Sequence, residues 1–369
     1  MSLDVGLQTD PETYGATATD EARRQIEICN ACRYCEGYCA VFPAITRQKV
    51  FADGDITQLA NLCHNCRGCY HACQYAPPHD FALNLPRALA ETRAESWERL
   101  AWPRPLAQLF QRSGVALALA LAAGIALLFL AVLGAAGQGR GFYAWMGHGA
   151  MVAIFLPSFL LPLAALAVSL RRYWREVGGA RLHRRDLSDA VVAAGRLRNL
   201  SGGQGQGCNY EIGDRYSDAR RWMHQAVMYG FLLCFAATVA GTVLHYGFER
   251  PAPYGFWSLP KLLGVPGGLL LTLGAAGLIW LKLRADPDLG APDRWGGEMA
   301  FVALLLAVAV TGLALYAATG TAAVGGLLAL HLGSVLTLFL LTPYSKMAHG
   351  FYRFAALLRE AQIARGARR

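Results

Sequence analysis

Two cysteine runs leave this chain few ways to fold. Cys29, Cys32, Cys35 and Cys39 are followed by Cys63, Cys66, Cys69 and Cys73, and each run reads C-x2-C-x2-C-x3-C. That is the pattern in which thiolates hold cubane iron–sulfur clusters. Three thiolates spaced three residues apart wrap one side of a [4Fe–4S] cube from a single tight loop, and the fourth comes from elsewhere. Where two cubes share a domain, the last cysteine of each run ligates the other cube. On that rule Cys29, Cys32, Cys35 and Cys73 hold one cluster, and Cys63, Cys66, Cys69 and Cys39 hold the second. The same eight ligands serve if each run closes on itself. Disulfides are the competing use, but nothing at the N-terminus has the shape of a secretory signal, so a reducing cytosol is expected. Structural zinc favours two C-x2-C knuckles with a longer spacer, not four cysteines crowded together.

Ala40 and Gln74 follow the fourth cysteines where the bacterial ferredoxin run has proline, and Pro43 and Pro77 come four residues on. This predicts a helical variant of the ferredoxin module, with each run opening or closing a helix. Ile56, Leu59 and Leu62, between the runs, stand at helical spacing. A short helix is expected over Glu21–Ile28. Another is expected from Phe81 to Leu100, with Phe81, Leu85, Ala88 and Leu89 inward and Arg87, Glu91 and Arg93 outward. Trp102-Pro103-Arg104-Pro105 then marks a boundary, because prolines stop a helix and tryptophan suits a membrane interface. The chain divides into a cytoplasmic cluster domain, 1–104, and a membrane domain, 105–369.

Composition agrees with that division. At 54% hydrophobic and 16% charged residues, with mean hydropathy +0.29, the chain is too apolar for a soluble protein of its length. Six runs after the boundary can each cross a bilayer, for which about 20 apolar residues are needed. They cover approximately 113–134, 144–170, 224–246, 261–283, 299–319 and 322–342. Pro260 and Pro266 bracket the start of the fourth, and only Gly320 and Thr321 separate the last two, which form a tight hairpin. The fold class is therefore all-α, a helical two-cluster domain followed by a six-helix transmembrane bundle. Arginines crowd the loop 171–221, and Lys346, Arg353, Arg359, Arg365, Arg368 and Arg369 line the tail. The opposite loops offer Arg140, Arg250 and Lys261. By the positive-inside rule, both termini and the large loop face the cytoplasm from a multi-pass inner-membrane protein. The net charge of +9 reads as topology and not as nucleic-acid binding, since the arginines border apolar spans.

Ionisable residues in membrane helices are functional candidates by default. His148, His224, His245, His331 and His349 qualify, and haem b is the cofactor that asks for paired imidazoles from facing helices. His224 and His245 begin and end the third span, ~31 Å apart at 1.5 Å per residue. His331 and His349 share a helix face five turns apart, with Pro343 between them. Antiparallel pairing of the third and sixth spans puts His224 with His349 and His245 with His331, a stack of one or two haems, with His148 in reserve for the outer site. His331 is the deepest of the five. Some of these histidines could instead sit at headgroup level, His245, His349 and His148 above all, while for His331 the ligand reading is the stronger. His64, His71 and His79 surround the cubes without being needed as ligands. Cys208 reads as a loop thiol or partner contact and Cys234 as a packing residue. The run Ser201-Gly-Gly-Gln-Gly-Gln-Gly lacks the spacing and the strand of a nucleotide loop. No flavin or nicotinamide site is visible, so another polypeptide must handle the organic substrate.

The combination resembles the tricarballylate/citrate-utilisation protein family over nearly the whole chain. The resemblance is carried by the two cysteine runs, by Arg220-Arg221-Trp222-Met223-His224 leading into Tyr229-Gly230-Phe231, and by His331-Leu332 and Pro343-Tyr344-Ser345-Lys346-Met347-Ala348-His349. It implies an electron-transfer subunit that reoxidises a partner flavoprotein dehydrogenase through two [4Fe–4S] clusters and haem b and passes electrons to membrane quinone. A transporter or a redox sensor with a regulatory cluster domain is the alternative class. The topology has a direct test. A maleimide applied from the periplasmic side should fail to label Ser201→Cys and should label Gln138→Cys, and the reverse pattern would overturn the orientation.

Overall fold

The cysteine runs are spread over short helices joined by turns that non-glycine residues make in the left-handed region. The computed structural model describes residues 17–135, 141–202, 205–211 and 213–366, and the regular structure among them is helical. Extended pairing is confined to two isolated bridges, Cys208 with Ser217 and Glu211 with Ala285. Arg140, Arg368, Arg369 and the labelling position Gln138 lie outside the described residues.

Helix α1 (Ala18–Cys32) opens on Thr17, whose side chain accepts from the Asp20 N–H, with Asp20 and Glu21 at the positive end of the helix dipole. It closes where Arg33 takes φ 59°, which turns the chain after Cys29 and Cys32. Helices α2 (Val41–Thr46), α3 (Asp53–Leu62) and α4 (Gly68–His71) follow. Ile26, Ile45, Ile56, Leu59, Leu62 and Leu89 are fully buried at the centre of this domain, so the apolar spacing between the runs does mark the core face of α3. Helix α5 (Leu85–Leu100) departs from expectation at both ends of the argument. It starts at Leu85 because the Asn84 side chain caps the Arg87 N–H and Pro86 occupies the first turn. Phe81 precedes it and is 46% exposed. Arg93, expected outward, is buried and donates to the carbonyls of Ala60 and Cys63.

After Trp102 the chain continues through α6 (Arg104–Arg112), α7 (Gly114–Ala135), α8 (His148–Glu176), α9 (Arg184–Gly195), α10 (Ala219–Gly247), α11 (Leu259–Leu283), α12 (Trp295–Ala317), α13 (Val324–Leu341) and α14 (Ala348–Gly366). Six of these, α7, α8 and α10 to α13, are long and apolar enough to cross a membrane, as in a multi-pass membrane protein. Pro260 lies in the first turn of α11 and Pro266 is accommodated inside it, as membrane helices allow. The turn between α12 and α13 uses Gly320 at φ +87°. The most extensive helix pair is α10 with α11, and glycine permits it: a Cβ on Gly274 would stand 2.7 Å from Met223 O and Val227 N. Neither α9, in the loop 171–221, nor α14, in the basic tail, was visible as a helix in the apolar pattern.

The cysteine domain sits on one end of the bundle, gripped by α8 and α14. Thr57 donates to Glu176 (2.7 Å), Tyr173 Oη to Gln58 Oε1 (2.7 Å) and Gln58 Nε2 to the Ala356 carbonyl (2.8 Å). Glu98, buried on α5, pairs with Arg294 before α12 and with Arg112 on α6. Removing it leaves a buried guanidinium uncompensated. Glu98→Ala should therefore cost about 3 kcal/mol or more, read as a fall in the unfolding midpoint of the purified protein in detergent. Arg87→Ala, which breaks an exposed pair with Glu91, should stay within roughly 0.5 kcal/mol. Equal effects would mean that Glu98 does not hold the joint.

Candidate functional site

The structure sorts the eight cysteines into two cavities and crosses the runs in doing so. Cys29, Cys32, Cys35 and Cys73 line one cavity, of about 320 Å³ and partly open to solvent, with Tyr34, Phe42 and Tyr75 on its wall. Cys39, Cys63, Cys66 and Cys69 line the other, of about 450 Å³, with His64, Arg67 and Phe42. Phe42 belongs to both walls and separates them. The crossing arises because Cys39 directly precedes α2, whose buried face turns it toward the second run, while Cys73 follows α4 and returns to the first. Asn65 (φ 53°) and Arg67 (φ 68°) bend the loop that aims Cys63 and Cys66 at one centre.

Four thiols crowded in a half-buried cavity are poor company unless something cationic sits among them. Burial, and then the nearness of Cys73, pushes the Cys29 and Cys35 thiols up to about 12, and burial holds Cys39 and Cys69 well above the ordinary thiol range. An iron–sulfur core would supply such positive charge. Among the described residues, no three His, Cys, Asp or Glu side chains gather as the ligands of a single ion. The sulfurs line the two cavities, four in each.

Of the two histidine pairs that the spacing suggests, the inner one is present and the outer one is not. His224 on α10 and His349 on α14 face each other, ring centroids 5.8 Å apart and planes at 83°. His349 Nδ1–H donates to the Lys346 carbonyl, which leaves Nε2 free, and His224 Nδ1 is buried without a hydrogen-bond partner. Burial and then the Arg353 guanidinium keep the His349 imidazole well below its usual range, hence neutral and able to ligate. His245 does not meet His331. It stacks on His148, centroids 4.3 Å apart and planes at 18°, and His148 Nε2 shares a hydrogen bond of 2.7 Å with Tyr246 Oη. The reason is depth: His245 lies in the last turn of α10 and His148 opens α8 at the same end, whereas His331 is two turns inside α13, ~10 Å deeper. His331 packs on Gly312, with Nδ1 3.2 Å from Thr311 Oγ1.

His64 links the second cavity to the His224–His349 pair. It lines that cavity and donates to the Leu62 carbonyl at 2.8 Å. Burial, then Arg353, Arg220 and His224 nearby, hold it neutral. Residues that are not among the sequence's site candidates complete this region. Arg93 binds the Cys63 carbonyl at 2.9 Å, Arg220 the Asn65 carbonyl at 2.6 Å, and Lys346 pairs with Glu298, which also holds Lys282 at 2.6 Å. A signal existed for Arg220 and for the nearby Arg353: Arg220 precedes His224 by four residues and Arg353 follows His349 by four, so each shares a helix face with its histidine. His71 and His79 lie near the first cavity, where His79 packs on Tyr75. Cys208 is buried against the Leu200 carbonyl and Cys234 packs near Gly264.

A cysteine-lined helical domain set on six apolar helices defines a membrane-anchored iron–sulfur protein. Residues 22–98 match the citrate utilization protein B Fer4-like domain, and residues 102–369 match citrate utilization protein B. Citrate utilization protein B of Escherichia coli is 42% identical over 367 residues, 98% of this chain and 95% of that protein. The chain belongs to the citrate utilization protein B family. No solved structure matches it.

The two cavities make a prediction about the thiols. Iron and acid-labile sulfide should approach about eight of each per chain. Cys66→Ser should remove the cluster of the second cavity and leave that of the first, seen as half the iron and half the reducible cluster signal. A variant that keeps its full iron would show that Cys66 is no ligand.

Proposed function

We propose that this chain is the membrane-bound electron-transfer subunit of an acid-oxidising system. It reoxidises a partner flavoprotein dehydrogenase of the tricarballylate/citrate-utilisation kind and delivers the electrons to membrane quinone. The name of the Escherichia coli relative supports the acid class. Residues 1–104 form its cytoplasmic cluster domain, 105–369 its membrane domain, and both termini face the cytoplasm of an inner-membrane protein. The observation that carries the reading is the pair of facing imidazoles, His224 and His349, on helices that enter the cysteine domain's side of the bundle, with His64 on the wall of the second cysteine cavity.

Cys29, Cys32, Cys35 and Cys73 would hold an outer [4Fe–4S] cluster, Cys39, Cys63, Cys66 and Cys69 an inner one, and His224 and His349 the haem b. When bound, these groups supply one-electron centres between a two-electron flavin and a lipid-soluble acceptor. Around the outer cavity, Tyr34 (66% exposed) and Phe81 (46% exposed) offer the flavoprotein an apolar landing. Phe42 and the α3 core keep water from the space between the cavities. The stacked rings of His148 and His245 present faces to each other and not nitrogens, so the haem is assigned to the inner pair alone.

Visible spectroscopy of the purified protein tests this. A low-spin haem band should appear on reduction by the flavoprotein with its substrate and vanish on adding a quinone analogue; a protein without haem would sink the reading. His224→Ala and His349→Ala should each abolish the low-spin band or turn it high-spin, with the clusters intact. His148→Ala and His331→Ala should leave it in place, and loss of the band in His331→Ala would reassign the ligand to α13.

A further inference from the structure

Four cations meet between the Cys63–Cys66 loop and the His224–His349 pair, and three have evident partners. Arg93 is satisfied by the carbonyls of Ala60 and Cys63. Arg220 donates to the Asn65 carbonyl and lies over the Tyr210 ring at 4.0 Å. Lys346 pairs with Glu298. Arg353 differs: its Nε is buried without a hydrogen-bond partner. The nearby Arg93 and Arg220 guanidiniums oppose its charge further. The Arg353 side chain is half-buried, and a guanidinium with an unpaired buried Nε beside two others is favoured by an anion that joins it.

Helix direction says where that anion lies. Arg220 comes four residues before His224 on α10, which runs away from the cysteine domain toward His245. Arg353 comes four residues after His349 on α14, which runs into that domain, its Ala356 carbonyl accepting from Gln58. Both arginines therefore stand one turn, ~6 Å, to the cysteine-domain side of the facing imidazoles. Two histidines flanked on the same side by two arginines match, in residue chemistry, a flat ligand carrying two acid groups along one edge.

We propose that Arg353 and Arg220 bind the two carboxylates of the ring cofactor held at His224 and His349, so that its acid edge points at the Cys63–Cys66 loop. This rests on the haem reading above. Guanidinium–carboxylate pairs of this kind bind as well as orient. They also set the ring edge nearest the second cysteine cavity.

The test uses the full-length chain, purified in detergent from haem-deficient cells with its iron–sulfur absorbance intact. Haemin and haemin dimethyl ester, whose acid groups are blocked, are titrated separately and followed by the low-spin absorbance. The wild-type protein should prefer haemin by roughly ten- to a hundredfold. Arg353→Gln should lose most of that preference and Arg353→Lys should keep part of it. The wild-type comparison needs no variant, so a misfolded Arg353→Gln, visible as lost cluster absorbance, does not stop the test. If the wild type binds ester and acid equally, the carboxylate assignment falls while the bis-histidine haem stands. If Arg353→Gln and Arg220→Gln both keep the full preference, the carboxylates are held elsewhere. If neither compound binds, the assignment and the haem reading fall together.

Discussion

Glu98 and Glu298 stand where the cysteine domain meets the helical bundle, and each is shared between two cations. Glu98 holds Arg294 and Arg112; Glu298 holds Lys346 and Lys282. Glu98 is buried and Glu298 partly so; a buried carboxylate persists only when its partners are in place, and the two pairs together tie α5, α6, α11, α12 and the segment before α14 to one another. Consequences reach the candidate site. Lys346 is pinned by Glu298, and its own carbonyl receives the His349 Nδ1–H. Trp97, next to Glu98, stacks on Tyr352 with ring centroids 6.2 Å apart, and lies 6.5 Å from His349. The orientation of one imidazole thus depends on a chain of contacts that begins with buried charge.

The cysteine domain solves a different problem. Its apolar core is small, and two cavities walled by thiols occupy space that a domain of this size would otherwise fill with side chains. Cluster binding and folding are therefore coupled in such a domain, as for other metal centres whose ligands come from distant parts of the chain. Phe42 contributes to both walls, which places the cavities back to back. With His64 on the far wall of the second, polar groups are kept at the side facing the bundle, and the exposed Tyr34 and Phe81 mark the side facing away.

Helix periodicity predicted that Ile56, Leu59 and Leu62 share a face, and there it worked: the three enter one core. It did not predict depth. His245 and His331 were matched by the antiparallel run of α10 and α13, yet α13 packs beside α7, α12 and α8 while α10 packs on α11 through Gly274 and Gly230. Close approach at glycine decides which helices neighbour one another, and a hydropathy pattern does not contain that information. Arg93 failed for a related reason. A charged residue on an amphipathic helix reads as outward unless carbonyls freed at a bent loop, here those of Ala60 and Cys63, wait for its donors.

By itself, the sequence determined the thiols, the six apolar helices, the all-α class and the family. Each rests on spacing or composition within a continuous stretch, where the backbone imposes the geometry. Only the tertiary structure decided between the crossed and the self-closed cysteine sets, gave His245 the partner His148 in place of His331, and turned the basic tail back into the cysteine domain through α14. Those are contacts between residues far apart in the chain. They depend on glycine-permitted helix packing and on buried ion pairs, whose free energy exists only once all the partners are assembled.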